Sequence, residues 1–263
     1  MTQTTKMLSR KEDGIGYLIF NNPDRLNAVS LDMWAATHTI LEDFRADDAV
    51  RVVVVTGAGG KAFVSGADIS EFDKTRSNKE QVEHYNATGE KAFSGLYDFP
   101  KPTIAMILGY CIGGGLGLAM CCDMRICSDN AKFGIPAAKL GLGYGYVGVK
   151  RLVDVVGPSF AKEIFYTARQ FDAEEARLMG LVNRVVPKDE LEAYVKNYAA
   201  VMSANAPLTI HAVKFAINQA VKDESARDLK HAAELVERCF GSNDYAEGRK
   251  AFMEKRKPVF TGT

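Results

Sequence analysis

An α/β fold is predicted for this chain of 263 residues by three observations. Strand-like and helix-like segments alternate over about the first 190 residues, and only helical patterns follow. Arg51-Val-Val-Val-Val-Thr56 is a β-branched run without polar alternation, the mark of a strand buried on both faces. Two such apolar runs, 51–56 and 103–108, each lead into a glycine-rich segment. The length suits one large core, read as residues 1–190, with a helical region over 191–263.

The elements run in order along the chain. Residues 6–10 and 15–21 read as two strands joined at Asp13-Gly14, a hairpin signal. Ser30 is a suitable N-cap, and Leu31, Trp34, Ala35, Leu41 and Phe44 form a helical apolar stripe to about residue 45. After the 51–56 strand, 57–70 reads as a glycine-rich loop, and 78–97 as a polar helix. Thr103–Leu108 is the next buried strand, then a glycine turn, a helix over 116–122 and a short strand over 124–127. Residues 133–148 read as irregular. Helices are expected at 149–156 and 159–168. Asp172 should cap a short helix ending at Gly180, before the last strand, 182–186. Four helices complete the chain: 188–204, 207–222, 225–240 and 244–256.

Composition narrows the function. Lys plus Arg and Asp plus Glu each number 33, so the net charge is zero. A neutral chain carries no electrostatic footprint for nucleic acid or an anionic membrane. The five cysteines (111, 121, 122, 127 and 239) are odd in number and lie mostly in apolar runs, which fits a reduced, cytoplasmic setting. The four histidines are unclustered, so no metal site is expected. Met1–Gly14 lacks the apolar core of a signal peptide. Residues 103–122 are long enough for a membrane span. Five glycines among them favour a strand, a turn and a helix instead.

Several motifs fail on context. Gly143-Tyr-Gly-Tyr-Val-Gly148 has dinucleotide-fingerprint spacing but follows no strand. Thr56-Gly-Ala-Gly-Gly60 lies too far into the chain for a reductase cofactor loop. Tyr97…Lys101 and Tyr146…Lys150 do not begin on formed helices. More informative are Lys61-Ala-Phe-Val-Ser-Gly-Ala-Asp-Ile69 and Gly109-Tyr-Cys-Ile-Gly-Gly-Gly-Leu-Gly117. Both follow buried strands. Glycines at a helix start leave N–H groups free where the dipole favours negative charge. If the strand tips are neighbours, each can offer one N–H to the same oxygen. The same glycines serve equally well for close helix–strand packing.

Taken together, Asn22-Pro23…Asn27-Ala28, Phe63-x-x-Gly66-Ala67-Asp68-Ile69, Gly113-Gly114-Gly115, Phe133-Gly134-x-Pro136, Gly180-Leu-Val-Asn183 and Glu247-Gly248…Lys255-Arg256 occur in an order that resembles the enoyl-CoA hydratase/isomerase superfamily, the crotonase fold, over roughly residues 14–258. The resemblance implies a spiral of ββα units with a C-terminal helical trimerisation region, assembled as a homotrimer or a dimer of trimers. It implies acyl-CoA substrates, with no cofactor beyond the coenzyme A that is part of the substrate. The thioester carbonyl would lie between the N–H groups of Ala67 and Gly114, and coenzyme A near Arg25, Leu26, Lys61, Asp68 and Ile69.

The chain departs from the family at two points. The hydratases carry one glutamate two residues after the glycine triplet and a second directly after the Phe-Gly-x-Pro run. Here these positions are Gly117 and Ala137. Each such acid/base typically supplies 10²–10⁴ in rate, so hydration itself is doubtful. Tyr144 aligns with a position that is aspartate in dihydroxynaphthoyl-CoA synthase and chlorobenzoyl-CoA dehalogenase. It is the first candidate proton donor, with Tyr146 beside it; pocket wall or core is the alternative role for both. Glu71 and Asp73 are secondary candidates, Cys111 lacks a neighbouring histidine, and Asp123 with Arg125 reads as a structural pair. The expected function is carbonyl polarisation in an acyl-CoA enzyme. The alternatives are another reaction of the same fold (enolate protonation or isomerisation, C–C bond formation, thioester hydrolysis) and a non-catalytic acyl-CoA binder.

Overall fold

The computed structural model describes residues 4–263. Strands β1 (Met7–Glu12) and β2 (Ile15–Phe20) pair antiparallel through Asp13-Gly14, both at positive φ. That two-residue turn matches the twist of a hairpin. Helix α1 (Leu31–Ala46) follows, then β3 (Val52–Gly57) and β4 (Ala62–Val64). Next come α2 (Phe72–Thr75), α3 (Lys79–Tyr97), β5 (Thr103–Ile107), β6 (Tyr110–Ile112) and α4 (Gly114–Met120). The spiral closes with β7 (Met124–Ser128), β8 (Lys132–Gly134), α5 (Tyr146–Thr167), β9 (Phe171–Asp172), α6 (Ala173–Leu178) and β10 (Arg184–Val186). Helices α7 (Leu191–Ser203), α8 (Pro207–Ala220), α9 (Leu229–Phe240) and α10 (Asn243–Met253) complete it.

The strands form two sheets, ordered β1-β2-β3-β5-β7-β10 and β4-β6-β8-β9. All pairings are parallel except β1 with β2 and β8 with β9. Successive turns thus lay one strand in the large sheet and the next in the small one, the expected ββα spiral. In β3, Val53 and Val55 face a core shared with Phe20, Trp34 and Phe63, while Val52 and Val54 face Leu191, Val195 and Ala199 of α7. Both faces of this strand are buried, which is why its sequence does not alternate.

The small sheet is the main correction to the sequence reading. Residues 57–70 are not only a loop, because β4 lies within them; 133–148 contain the end of β8, a 3-10 turn over Pro136–Leu140 and the start of α5. Strands of three residues are too short to show a period. Helix α4 begins at Gly114, two residues earlier than expected, and the 103–122 stretch resolves into β5, β6 and α4. No helix among the described residues is long and apolar enough to cross a membrane. Gly157, at φ +72°, breaks α5 before Pro158, so the two helical segments read there are present. Ser30 occupies the N-cap of α1 but turns its hydroxyl to the Asp32 carboxylate. Asp172 forms a capping box with Glu175. Asp123 and Arg125 are not bonded to each other. Asp123 accepts from Thr103 and Lys214, and the Arg125 guanidinium donates to the carbonyls of Ala119, Cys122 and Leu181.

Buried Asn27 ties the first turn of the spiral to the second. It holds a left-handed backbone at φ +56°. Its Nδ2 donates to Ala58 O (3.0 Å) and Ala62 O (2.8 Å), and its Oδ1 accepts from Asn22 N (2.9 Å). Truncation would leave these buried groups unpaired, at about 1–3 kcal/mol each before relaxation. Asn27→Ala should therefore lower the unfolding free energy by about 2–4 kcal/mol in urea denaturation. A loss below about 0.5 kcal/mol, the range of neutral surface changes, would contradict this role.

Candidate functional site

The site is built where β4 and β6 deliver their C-terminal ends side by side. Between these segments the backbones are in direct contact. A Cβ on Gly115 would overlap Val64 O, and one on Gly109 would overlap Lys61 O. Only glycine allows that approach. A Cβ built on Gly114 would lie 3.9 Å from Ala67 N, and one on Gly66 would lie 3.9 Å from Gly114 N. The two amides are therefore neighbours.

Among the described residues neither amide has a hydrogen-bond partner. Val29 N donates to Gly66 O and Asp68 N donates to Val29 O, which pairs the groups on either side of Ala67 N and leaves it free. Gly114 N stands at the first position of α4, where an N–H has no intrahelical partner. Two free donors at a helix start can stabilise one developing oxyanion.

Beyond these donors, Gly117 lies three residues along α4 and so on the same face as Gly114. A Cβ on Gly117 would lie 3.3 Å from Tyr144 Oη and 3.6 Å from Phe93. The phenol hydroxyl thus occupies the space that a longer residue at 117 would claim. Gly148 makes room for the Tyr144 ring, and Phe165 packs edge-on against it at 4.9 Å. Trp34 and Phe93, with ring centroids 5.0 Å apart, continue the wall, and Trp34 Cζ2 lies 3.8 Å from a Cβ built on Gly114. Ala137 is buried and presents a methyl group. Burial pushes the Tyr144 phenol up to about 12. At neutral pH it is held almost wholly as a proton donor and is a poor base.

The other candidates fall into place around this centre. Arg25, Leu26, Ala67, Asp68 and Ile69 share one ledge. Arg25 Nη1 donates to Ser70 Oγ (3.0 Å) and lies 3.6 Å from the buried Asp68 carboxylate; Leu26 O accepts from Ser65 N. Ile69 is 59% exposed at the ledge's edge. Lys61 stands at the opposite end of β4, exposed and without an ion-pair partner among the described residues. Tyr146 is 76% exposed and Asp73 is exposed, while Glu71 pairs with Lys6 at 3.8 Å. None of these three enters the wall described above. Cys111 is fully buried, and burial pushes its thiol well above the ordinary range. Sequence reasoning missed Phe93 and gave Trp34 only a place in the α1 stripe.

Two apolar pockets lie elsewhere. One of about 590 Å³ runs between α8 and the core, and one of about 820 Å³ lies among α8, α9, α10 and the C-terminal tail. Neither is lined by Ala67, Gly114 or Tyr144. The chemistry is placed by the paired amides and not by cavity size.

The sequence profile of the enoyl-CoA hydratase/isomerase family matches residues 10–263. The crotonyl-CoA hydratase of Syntrophomonas wolfei is 38% identical, with 97% of each chain covered. The short-chain-enoyl-CoA hydratase of Clostridium acetobutylicum is 36% identical, also over 97% of each chain. A crystal structure described as an enoyl-CoA hydratase/carnithine racemase from Magnetospirillum magneticum superposes with a TM-score of 0.94 at 39% identity, covering 99% of this chain and 97% of that one.

The raised phenol has a pH signature. The folded chain keeps the Tyr144 proton above the ordinary tyrosine value near 10, whereas the unfolded chain loses it. Stability from this group is therefore complete below about 10 and is lost as the pH rises towards about 12. Tyr144→Phe should flatten the alkaline decline of stability in that window. The difference between the two proteins' ultraviolet titrations should show one tyrosine ionising near 12. A difference that titrates at 10 or below would remove Tyr144 from its buried setting.

Proposed function

The chain belongs to the enoyl-CoA hydratase/isomerase family, and we propose that it acts on an acyl-CoA thioester through enolate chemistry in which Tyr144 supplies a proton. The observation that supports this is the pairing of the free Ala67 and Gly114 amides with a protonated phenol over Gly117. The thioester oxygen would accept from both amides. Each such donor is typically worth about 3–4 kcal/mol of barrier. Coenzyme A would lie along the ledge of Arg25, Leu26, Asp68 and Ile69, with Lys61 near its phosphates. The minor phenolate form of Tyr144 takes a proton from Cα, the C–H electron pair passing into the enolate whose oxygen the two amides hold, and the phenol so formed exchanges its proton with solvent. As the enolate collapses, the Tyr144 O–H bond breaks and a C–H bond forms at Cα. The phenolate then regains its proton from solvent.

Hydration in the manner of the glutamate-bearing relatives does not suit this site. Positions 117 and 137 carry no carboxylate, and the Tyr144 hydroxyl fills the space beside position 117. A phenol held near 12 leaves only about one molecule in 10⁵ ionised at pH 7, enough for slow exchange at Cα but too few to activate water for a hydration.

We also propose assembly with further copies of the same chain through the C-terminal helices. Val213, Ile217, Val236, Phe240, Phe252 and Met253 are 46–83% exposed there. An apolar surface of this kind, rimmed by polar residues, marks an interaction site. Sedimentation should give three or six chains per particle, and a monomer at micromolar concentration would exclude the assembly.

The reaction is tested by mass spectrometry of crotonyl-CoA and saturated acyl-CoAs in heavy water. The native protein should exchange deuterium at Cα of the saturated acyl-CoAs and add no water to crotonyl-CoA. Gly114→Pro removes one N–H at a helix position that tolerates proline and should slow exchange 10²–10³-fold. Tyr144→Phe should slow it while acyl-CoA binding persists. Glutamates at 117 and 137 should yield hydration only when Tyr144 is also cut to alanine, because the phenol otherwise occupies their space. Rapid water addition by the native protein would overturn this reading.

A further inference from the structure

The aromatic wall beyond the paired amides ends in a cation that has no ion-pair partner among the described residues. Arg76 follows α2, and its guanidinium carbon lies 4.4 Å from the centre of the Phe72 ring and 4.0 Å from that of Tyr85. Its Nε is buried and has no hydrogen-bond partner among the described residues. Among the described residues no carboxylate lies within ion-pair distance of it: Asp73, the nearest acid in sequence, is exposed, and Glu71 is engaged by Lys6. Contact with the donors is continuous. Tyr85 Oη accepts from Trp34 Nε1 at 3.2 Å, and Trp34 adjoins Gly114.

An arginine held between two rings gains cation–π attraction. The ring contacts leave the buried Nε–H without a partner among the described residues, and an arginine fork is shaped for a carboxylate. Burying such a donor without a partner is unfavourable, so the arrangement is complete only when an anion arrives. We propose that Arg76 is a specificity residue for an acyl group with a carboxylate at its far end, making the substrate class the coenzyme A monothioesters of dicarboxylic acids. This rests on the reading that an acyl-CoA occupies the site. A coenzyme A phosphate is the other anion to weigh. The ledge assigned to coenzyme A leaves Ala67 by way of Arg25 and Ile69, whereas Arg76 is reached from Gly114 by way of Trp34 and Tyr85.

The test is calorimetric titration with coenzyme A alone and with matched pairs of equal carbon number: butyryl- and succinyl-CoA, pentanoyl- and glutaryl-CoA, hexanoyl- and adipyl-CoA. In at least one pair the carboxylated member should bind about 10- to 100-fold more tightly, the range for hydrogen bonds to a charged group. Arg76→Met keeps the stacked bulk and should erase that gap while leaving coenzyme A and the unsubstituted acyl-CoAs unchanged. Arg76→Lys should keep part of it. Equal affinity within every pair, or a gap that survives Arg76→Met, would overturn the proposal. Loss of affinity for coenzyme A itself in Arg76→Met would assign the guanidinium to a phosphate and overturn it as well. Failure to bind any acyl-CoA would overturn the reading of the site, and this proposal with it.

Discussion

Two main-chain segments, 61–67 and 109–115, press against each other with no side chain between them, and the rest of the site depends on that contact. At Gly109 and Gly115 a single methyl group would strike a carbonyl of the opposite segment. The approach brings β4 and β6 into one small sheet and sets their exits side by side. From those exits come the Ala67 amide and the start of α4. Asn27 reinforces the arrangement from outside by gripping carbonyls on both sides of the turn that precedes β4. The large sheet, buried on both faces, is the rigid base on which this contact is held.

Much of this architecture is legible in the residues. Asp13-Gly14 announces a hairpin because two successive positive φ values suit few other pairs. The Val52–Val55 run announces a doubly buried strand, and the stripe through Trp34, Leu41 and Phe44 announces a helix. Ala67 and Gly114 are legible as a pair because each belongs to a glycine segment after a buried strand. The small sheet is not legible, since Ala62–Val64, Tyr110–Ile112 and Lys132–Gly134 give three residues each and no period can emerge from three. Helix α4 starts earlier than its residues suggest, because glycine propensity argues against a helix that tertiary packing nevertheless imposes. Asp123 and Arg125 resemble a pair in sequence. In space they serve different partners, since each lies beside unpaired groups on other elements.

The aromatic wall is the least visible feature, for a different reason. Trp34, Phe93 and Tyr144 come from α1, α3 and the segment before α5, and nothing in their spacing indicates that they meet. Only the fold places the Tyr144 hydroxyl where position 117 would otherwise project. The absence of a glutamate at 117 and the presence of a bulky phenol at 144 are then one steric fact and not two independent departures. The same holds for Arg76, whose isolation from carboxylates is a property of its surroundings in space.

The donors at the centre of the site belong to the backbone, and this affects how such a protein can change over generations. An amide hydrogen is encoded by every residue except proline. Ordinary substitutions at 67 therefore retain the polarising power, while those at 117, 137 and 144 redirect the fate of the polarised group. The scaffold separates a nearly mutation-proof electrostatic element from an easily exchanged set of side chains. A lineage can pass through variants with a new proton donor, or with none, and still hold a carbonyl in place. Divergence of chemistry within one shape is the natural outcome of that division.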